Sequence, residues 1–157
     1  MNKYYIGYPL PTHVRETLRQ LFMHVMGNAA FVEVNQLHCT ALHLGPMPRV
    51  EAERIFDSLP RRNLPIQAEF DTYDRFGDHL VIKLKQSDDL TAIHTQLAIF
   101  KGGNQHYDYN PHVTIAHGNK AFIRIGCPEE KFTLGTICLF EKPEGGEYDV
   151  YRTTVFR

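Results

Sequence analysis

Apolar positions change their spacing several times along this chain, and each change marks an element. Residues 3–10, KYYIGYPL, are dense in aromatic and β-branched side chains and predict a first strand. After Pro11 and Thr12 the apolar positions Val14, Leu18, Leu21, Phe22 and Val25 follow helical spacing until Gly27. Phe31–Val34 and Leu37–Leu44 return to short strand-like runs. Pro48 then starts a second helix through Ala52, Ile55, Phe56 and Leu59, ending before Pro60. Ile66–Tyr73 and Leu80–Leu84 predict a hairpin that turns over DRFGDH. Ser87 caps a third helix carrying Leu90, Ile93, Leu97 and Phe100, closed by Gly102 and Gly103. His112–Ala116, Phe132–Phe140 and Tyr148–Phe156 are strand-like, with EKPEGGE turning between the last two. With no linker or low-complexity segment, residues 1–157 read as one α+β domain built from two similar halves.

Each half holds one copy of His-x-Thr-x-x-His inside an apolar run closed by glycine: LHCTALHLG from Leu37 and NPHVTIAHG from Asn110. Residues two apart on a strand share a face, so His38 and Thr40 point one way and His112 and Thr114 do likewise. A single copy is an ordinary chance match. Two copies, half a chain apart and both among apolar residues, call for a reason why polar pairs sit in buried strands. One imidazole with one hydroxyl is half of a phosphate-ester site. Two halves supply a base for the attacking oxygen, an acid for the departing one, and hydroxyls for the non-bridging oxygens. No metal is needed by that scheme. His43 and His117 follow at an odd offset and fall on the opposite face of a regular strand. A zinc site from His38, His43, His112 and His117 therefore requires a bulge in each strand. His13, His24, His79, His94 and His106 show no partner pattern and read as surface residues.

Composition narrows the ligand. The chain of 157 residues has a net charge of -1 and ordinary hydrophobic (43%) and charged (22%) fractions, so a long polyanion such as duplex DNA is a poor fit. A small nucleotide in a local pocket fits better. No run approaches ~20 consecutive apolar residues, and the N-terminus lacks a signal-peptide pattern. Cys39, Cys127 and Cys138 match neither a CxxC nor a disulfide framework, which points to a reducing cytoplasm.

The two motifs, in this order and spacing, resemble the 2H phosphoesterase superfamily, whose patterns LHxTLxxLG and PHxTLxR are matched by LHCTALHLG and NPHVTIAHG. KYYIGYPLP resembles that family's first strand and turn, and FTLGTICLFE its late strand. The resemblance implies a two-lobed fold, antiparallel sheets with helices packed outside and an active-site groove between the lobes. His38 and His112 would then be the catalytic acid and base, Thr40 and Thr114 the phosphate-holding hydroxyls, with no cofactor. His117 departs from the Arg or Lys of many relatives, which weakens the case for a terminal 2′,3′-cyclic phosphate as substrate. In size the chain resembles the compact phage anti-CBASS nucleases. The expected substrate is accordingly a small 3′–5′ linked cyclic oligonucleotide, the alternatives being RNA ends acted on by a cyclic phosphodiesterase or 2′–5′ ligase-like enzyme, or a nucleotide merely sequestered. Tyr8, Tyr73 and Tyr148 are candidates for base stacking, Glu141 for a base edge, and Lys83 and Lys85 for positive charge along one strand face.

Overall fold

The computed structural model describes residues 1–59, 65–102, 109–118, 120–147 and 149–155. Pro60, Gly103, His106 and Phe156, which entered the readings above, lie outside them. The strands are β1 (Lys3–Pro9), β2 (Val25–Met26), β3 (Ala30–Phe31), β4 (His38–Pro46), β5 (Ile66–Phe76), β6 (His79–Leu84), β7 (His112–His117), β8 (Phe122–Ile123), β9 (Lys131–Leu134), β10 (Thr136–Lys142) and β11 (Asp149–Val155). The helices are α1 (Thr12–Leu21), α2 (Arg49–Asp57) and α3 (Asp88–Lys101). α3 starts where Ser87 Oγ accepts from the Leu90 amide at 3.2 Å and stops at Gly102, whose φ of 80° is left-handed.

Three predicted elements are cut differently. α1 ends at Leu21; Phe22–His24 tighten into a 3₁₀ turn, and Val25–Met26 pair with β8 instead. Of Phe31–Val34 only Phe31 lies in a strand, paired through Ala30–Phe31, and the chain turns again at Val34–Gln36. The run Phe132–Phe140 is two strands divided at Gly135: β9 pairs with β5, and β10 pairs with β1. An alternating pattern reports which face is buried and says nothing of which neighbour supplies the ladder, so one strand that changes partners reads as continuous.

Among the described residues one antiparallel sheet runs β11-β10-β1-β4-β7-β6-β5-β9, with β3 also beside β7. The order divides at its centre. β11, β10, β1 and β4 form one lobe; β7, β6, β5 and β9 form the other, and Cys39 pairs with Val113 where they meet. Val14, Leu18 and Leu21 of α1, Ala52, Ile55 and Phe56 of α2, and Leu90, Ile93 and Leu97 of α3 join the buried strand residues in one core. Each large side chain fully buried there contributes roughly 1.5–3 kcal/mol of hydrophobic stabilisation.

Both motif strands carry the same irregularity. Along β4, Gly7 pairs with Thr40 but Ile6 pairs with Leu42, so Ala41 is an extra residue. Along β7, Val81 pairs with Thr114 and Leu80 with Ala116, leaving Ile115 extra. A bulge of this kind resets which side chains share a face. It also takes a carbonyl out of the ladder, and the buried Ala41 oxygen is met by His94 Nδ1 at 2.7 Å. His94 is consequently a buried α3 residue, 6% exposed and stacked on Tyr109, and not the surface histidine that its isolation in the sequence suggested. Replacing His94 by phenylalanine keeps the ring and removes the donor. The expected cost is ~1–3 kcal/mol for an unpaired buried carbonyl, seen in chemical denaturation as a lower midpoint at unchanged slope.

Candidate active site

With Cys39 opposite Val113 in an antiparallel register, Thr40 stands beside His112 and His38 beside Thr114. The four side chains are half-buried and share one face of the sheet, while Cys39 and Val113 point into the core. The two imidazoles lie diagonally across an approximate two-fold axis, each next to the other motif's threonine. His38 Nε2 is 3.2 Å from Thr40 Oγ1 of its own motif.

The rings are held in the same way. His38 Nδ1 donates to the Gln36 carbonyl at 2.8 Å, and His112 Nδ1 donates to the Asn110 carbonyl at 2.7 Å. A carbonyl only accepts, so each Nδ1 carries a hydrogen and each Nε2 is the nitrogen that gains or loses a proton. Burial pushes His38 below the usual histidine range; the Gln36 bond opposes this, and His43 and His112 add to it. Burial lowers His112 as well, opposed by the Asn110 carbonyl and assisted by His79.

The surroundings of the two rings differ. Tyr5 stacks on His38 with centroids 4.6 Å apart and on Phe140 at 4.5 Å, and Phe140 itself lies 5.8 Å from the His38 ring, so the three rings form one cluster. This stack needs a bare backbone beneath it. A Cβ at Gly7 would stand 3.0 Å from the Cys39 carbonyl oxygen and 3.3 Å from both His38 and Tyr5 ring carbons. His112 meets the edge of Phe76 at 4.7 Å and has Lys83 as its cross-strand partner. Beside Thr40 and His112, at the end away from His38 and Thr114, opens a cavity of about 220 Å³ whose lining also includes His43, Phe76, His94 and Tyr109. Tyr109 donates to the Thr40 carbonyl at 2.7 Å and so ties the approach to β7 onto β4.

Several expected positions are corrected. The bulges turn His43 and His117 onto the face of His38 and His112, where a regular strand would have put them behind it. Burial, aided by His112 and Lys101, lowers the His43 pKa. Tyr8 is fully buried, because Tyr5 and Gly7 take the groove side of β1 and Tyr8 alternates into the core. Tyr73 pairs with Ile82 on the core face and donates to the Gly126 carbonyl at 3.1 Å; burial pushes its phenol up to about 12. Neither can stack on a ligand in the groove. Glu141, opposite Tyr4 and away from the groove, accepts from Arg49 at 2.9 and 3.2 Å and from Tyr4 and Asn2. Its carboxyl is engaged in tying α2 to the sheet. Tyr148 lies outside the described residues. Of the two lysines, Lys83 faces the groove with its Nζ 4.0 Å from Asp74, whereas Lys85 is bound to Glu69 at 2.9 Å. Tyr5, Phe76, Tyr109 and Phe140 were missed; for Tyr5 the sequence carried one usable signal, Gly7 two residues on along the same strand face, while its pairing with His43 shows only in the register. None of the three cysteines is disulfide-bonded, and burial pushes the Cys39 thiol up to about 12.

The sequence model of the 2′-5′ RNA ligase superfamily matches residues 11–139, both motifs included. The chain belongs to this superfamily. Its members are 2H phosphoesterases, so phosphoester chemistry of the phosphodiesterase or 2′–5′ ligase-like kind comes with membership. Solved structures show the same fold at low identity. TT0787 of Thermus thermophilus superposes with a TM-score of 0.83 at 19% identity, covering 99% of this chain and 98% of that one. E. coli LigT complexed with ATP gives 0.84 at 12%, covering 99% and 97%. The MHV ns2 PDE domain gives 0.66 at 14%, covering 90% and 99%. A search of curated protein sequences found no match.

Two measurements check the site as built. Long-range ¹⁵N–¹H NMR should find neutral His38 and His112 as the Nδ1–H tautomer, both titrating below the free imidazole; an Nε2–H tautomer at either would contradict the tethers. Gly7→Ala should displace His38 and shift its ring resonances while leaving those of His112 close to wild type.

Proposed function

We propose that the protein is a metal-independent phosphodiesterase that opens 3′–5′ linked cyclic oligonucleotides by two-histidine acid–base catalysis. The observation that carries this reading is the matched pair of imidazoles, each tethered through Nδ1 and each presenting Nε2 to one groove. One neutral Nε2 takes the proton of a ribose 2′-OH. The freed oxygen attacks the adjacent phosphorus, the P–O5′ bond breaks, and the other imidazolium gives its proton to O5′. The products are a 5′-hydroxyl and a 2′,3′-cyclic phosphate in one linear chain, which water can open with the two roles exchanged. Thr40 and Thr114, set beside the opposite imidazoles, donate to the non-bridging oxygens where charge gathers.

A cyclic oligonucleotide carries further phosphates, and the cavity beside Thr40 and His112 continues along β4 to His43. His43 on β4 and Lys83, the cross-strand partner of His112 on β6, place two cation-capable side chains at that end for a neighbouring phosphate. Phe140, half-buried beside the buried Tyr5, offers an aromatic edge for a base in place of Tyr8 and Tyr73. Structures of LigT with ATP and with 3′-AMP, at the same fold, support a nucleotide as ligand. Destruction of such messengers would be immune evasion of the anti-CBASS kind, carried out in a reducing cytoplasm. Among the described residues no helix is long and apolar enough to cross a membrane. The family match favours one second reading, a cyclic phosphodiesterase or 2′–5′ ligase-like enzyme acting on RNA ends.

The deciding experiment is product analysis in EDTA with cyclic di- and trinucleotides, 2′–5′ linked oligoadenylate and RNA ending in a 2′,3′-cyclic phosphate. Cleavage of the cyclic messengers is expected, with His38→Ala or His112→Ala each lowering kcat by ~10²–10⁴-fold. Cleavage only of RNA ends or 2′–5′ links selects the second reading, and tight binding without turnover in any sample makes the protein a sequestering one. The pH dependence follows from the lowered pKa values. The base must be neutral, so activity rises through its pKa; the acid must be protonated, so activity falls above its own. With both lowered, kcat/KM should peak on the acid side of the ordinary histidine value of ~6.5.

A further inference from the structure

Beyond the reacting pair, at the other end of β6 and β7, three ligating side chains converge that the acid–base scheme does not use. His79 opens β6, His117 closes β7, and the two are cross-strand partners. Their rings meet edge to face with centroids 4.5 Å apart. Asp78, in the turn just before His79, places Oδ1 at 3.4 Å from His79 Nε2. One ligand atom from each of the three lies within 4.8 Å of the others. The bulge at Ile115 brings His117 into this group; in a regular strand its ring would point into the core.

We propose that Asp78, His79 and His117 form a binding site for a divalent transition ion of the zinc class. Two imidazole nitrogens with one carboxylate oxygen is a donor set that suits Zn²⁺, and three protein ligands leave one position for water or a phosphate oxygen. Bonds of ~2.0–2.2 Å in a tetrahedral site put ligand atoms roughly 3.3 Å apart. The Asp78–His79 edge already has that length, so His117 alone must close in, and its side chain is exposed enough to turn. The backbone is fixed on both sides: the Gly118 amide donates to the Asp78 carbonyl at 2.8 Å, and Arg75 donates to the Gly118 carbonyl at 2.7 Å. The ligands are therefore held by a hairpin turn and a strand end that cannot drift apart. This is a different set from the His38, His43, His112 and His117 tetrad that the sequence raised, and it leaves both reacting imidazoles out.

Isothermal titration of the chelator-stripped protein with Zn²⁺, followed by Co²⁺ spectroscopy, tests this without reference to turnover. One ion per chain is expected, with visible Co²⁺ absorption of the four-coordinate type. His79→Ala and His117→Ala should each abolish both signals, Asp78→Asn should weaken them, and His38→Ala should leave them intact. Melting of each variant in EDTA, matching wild type, shows that the fold survives. The proposal fails if wild type binds no ion, if binding survives in His79→Ala and His117→Ala, or if His38→Ala removes it. None of these outcomes depends on which nucleotide the groove cleaves.

Discussion

A strand with one residue too many cannot keep both its hydrogen-bond ladder and its alternation, and this constraint governs the groove. At Ala41 and at Ile115 the ladder yields, so the side chains on either side of the extra residue come to share a face. His43 and His117 reach the groove by that route. The cost is a carbonyl without a strand partner in a water-free interior, which α3 meets at Ala41 by placing a buried imidazole against it. α3 is thereby fixed in rotation and in height against β4, and Tyr109, stacked on the same imidazole, is fixed with it. Packing of a helix, placement of a loop and the floor of the cavity all descend from one irregular residue.

The approximate two-fold relation between the motifs makes two groups of one chemical type usable for opposite tasks. Each ring has the same tether and the same free nitrogen, so neither is committed by its own bonds to giving or taking a proton. What distinguishes them is their company. His38 sits in a cluster with two aromatic rings, Tyr5 and Phe140, whereas His112 has the Phe76 ring set edgewise to it and a lysine beside it. Under the proposed reaction, a phosphate between them would meet unequal environments around equal groups. Burial makes both rings reluctant to charge, and an anion bound between them would favour the charged form of either.

Much of this was legible in the chain. Periodicity located the helices and most strands, because apolar spacing follows the buried face directly, and the doubled His-x-Thr located the four side chains that the central strands bring together on one face. Strand partners were not legible: nothing in KFTLGTICLFEK states that its two halves serve different lobes. The bulges were not legible either, since they are set by tertiary pairing and leave no composition of their own. Tyr8, Tyr73 and Glu141 show the same limit. Each is an aromatic or acidic residue on a strand, and only the register decides whether it faces ligand, core or a helix.

The division at Gly135 has a mechanical meaning. The second lobe is a single continuous stretch of chain, β5 to β9, inserted between strands of the first, and it is bound to the first at both ends. At one end the tether is long, running through α2; at the other it is a single residue between two fully paired strands. Opening the lobes by rotation would have to be absorbed at that residue while the Cys39–Val113 pairing was broken. The connection therefore resembles a caliper locked at one setting, in which any change of the angle between the lobes falls on one glycine.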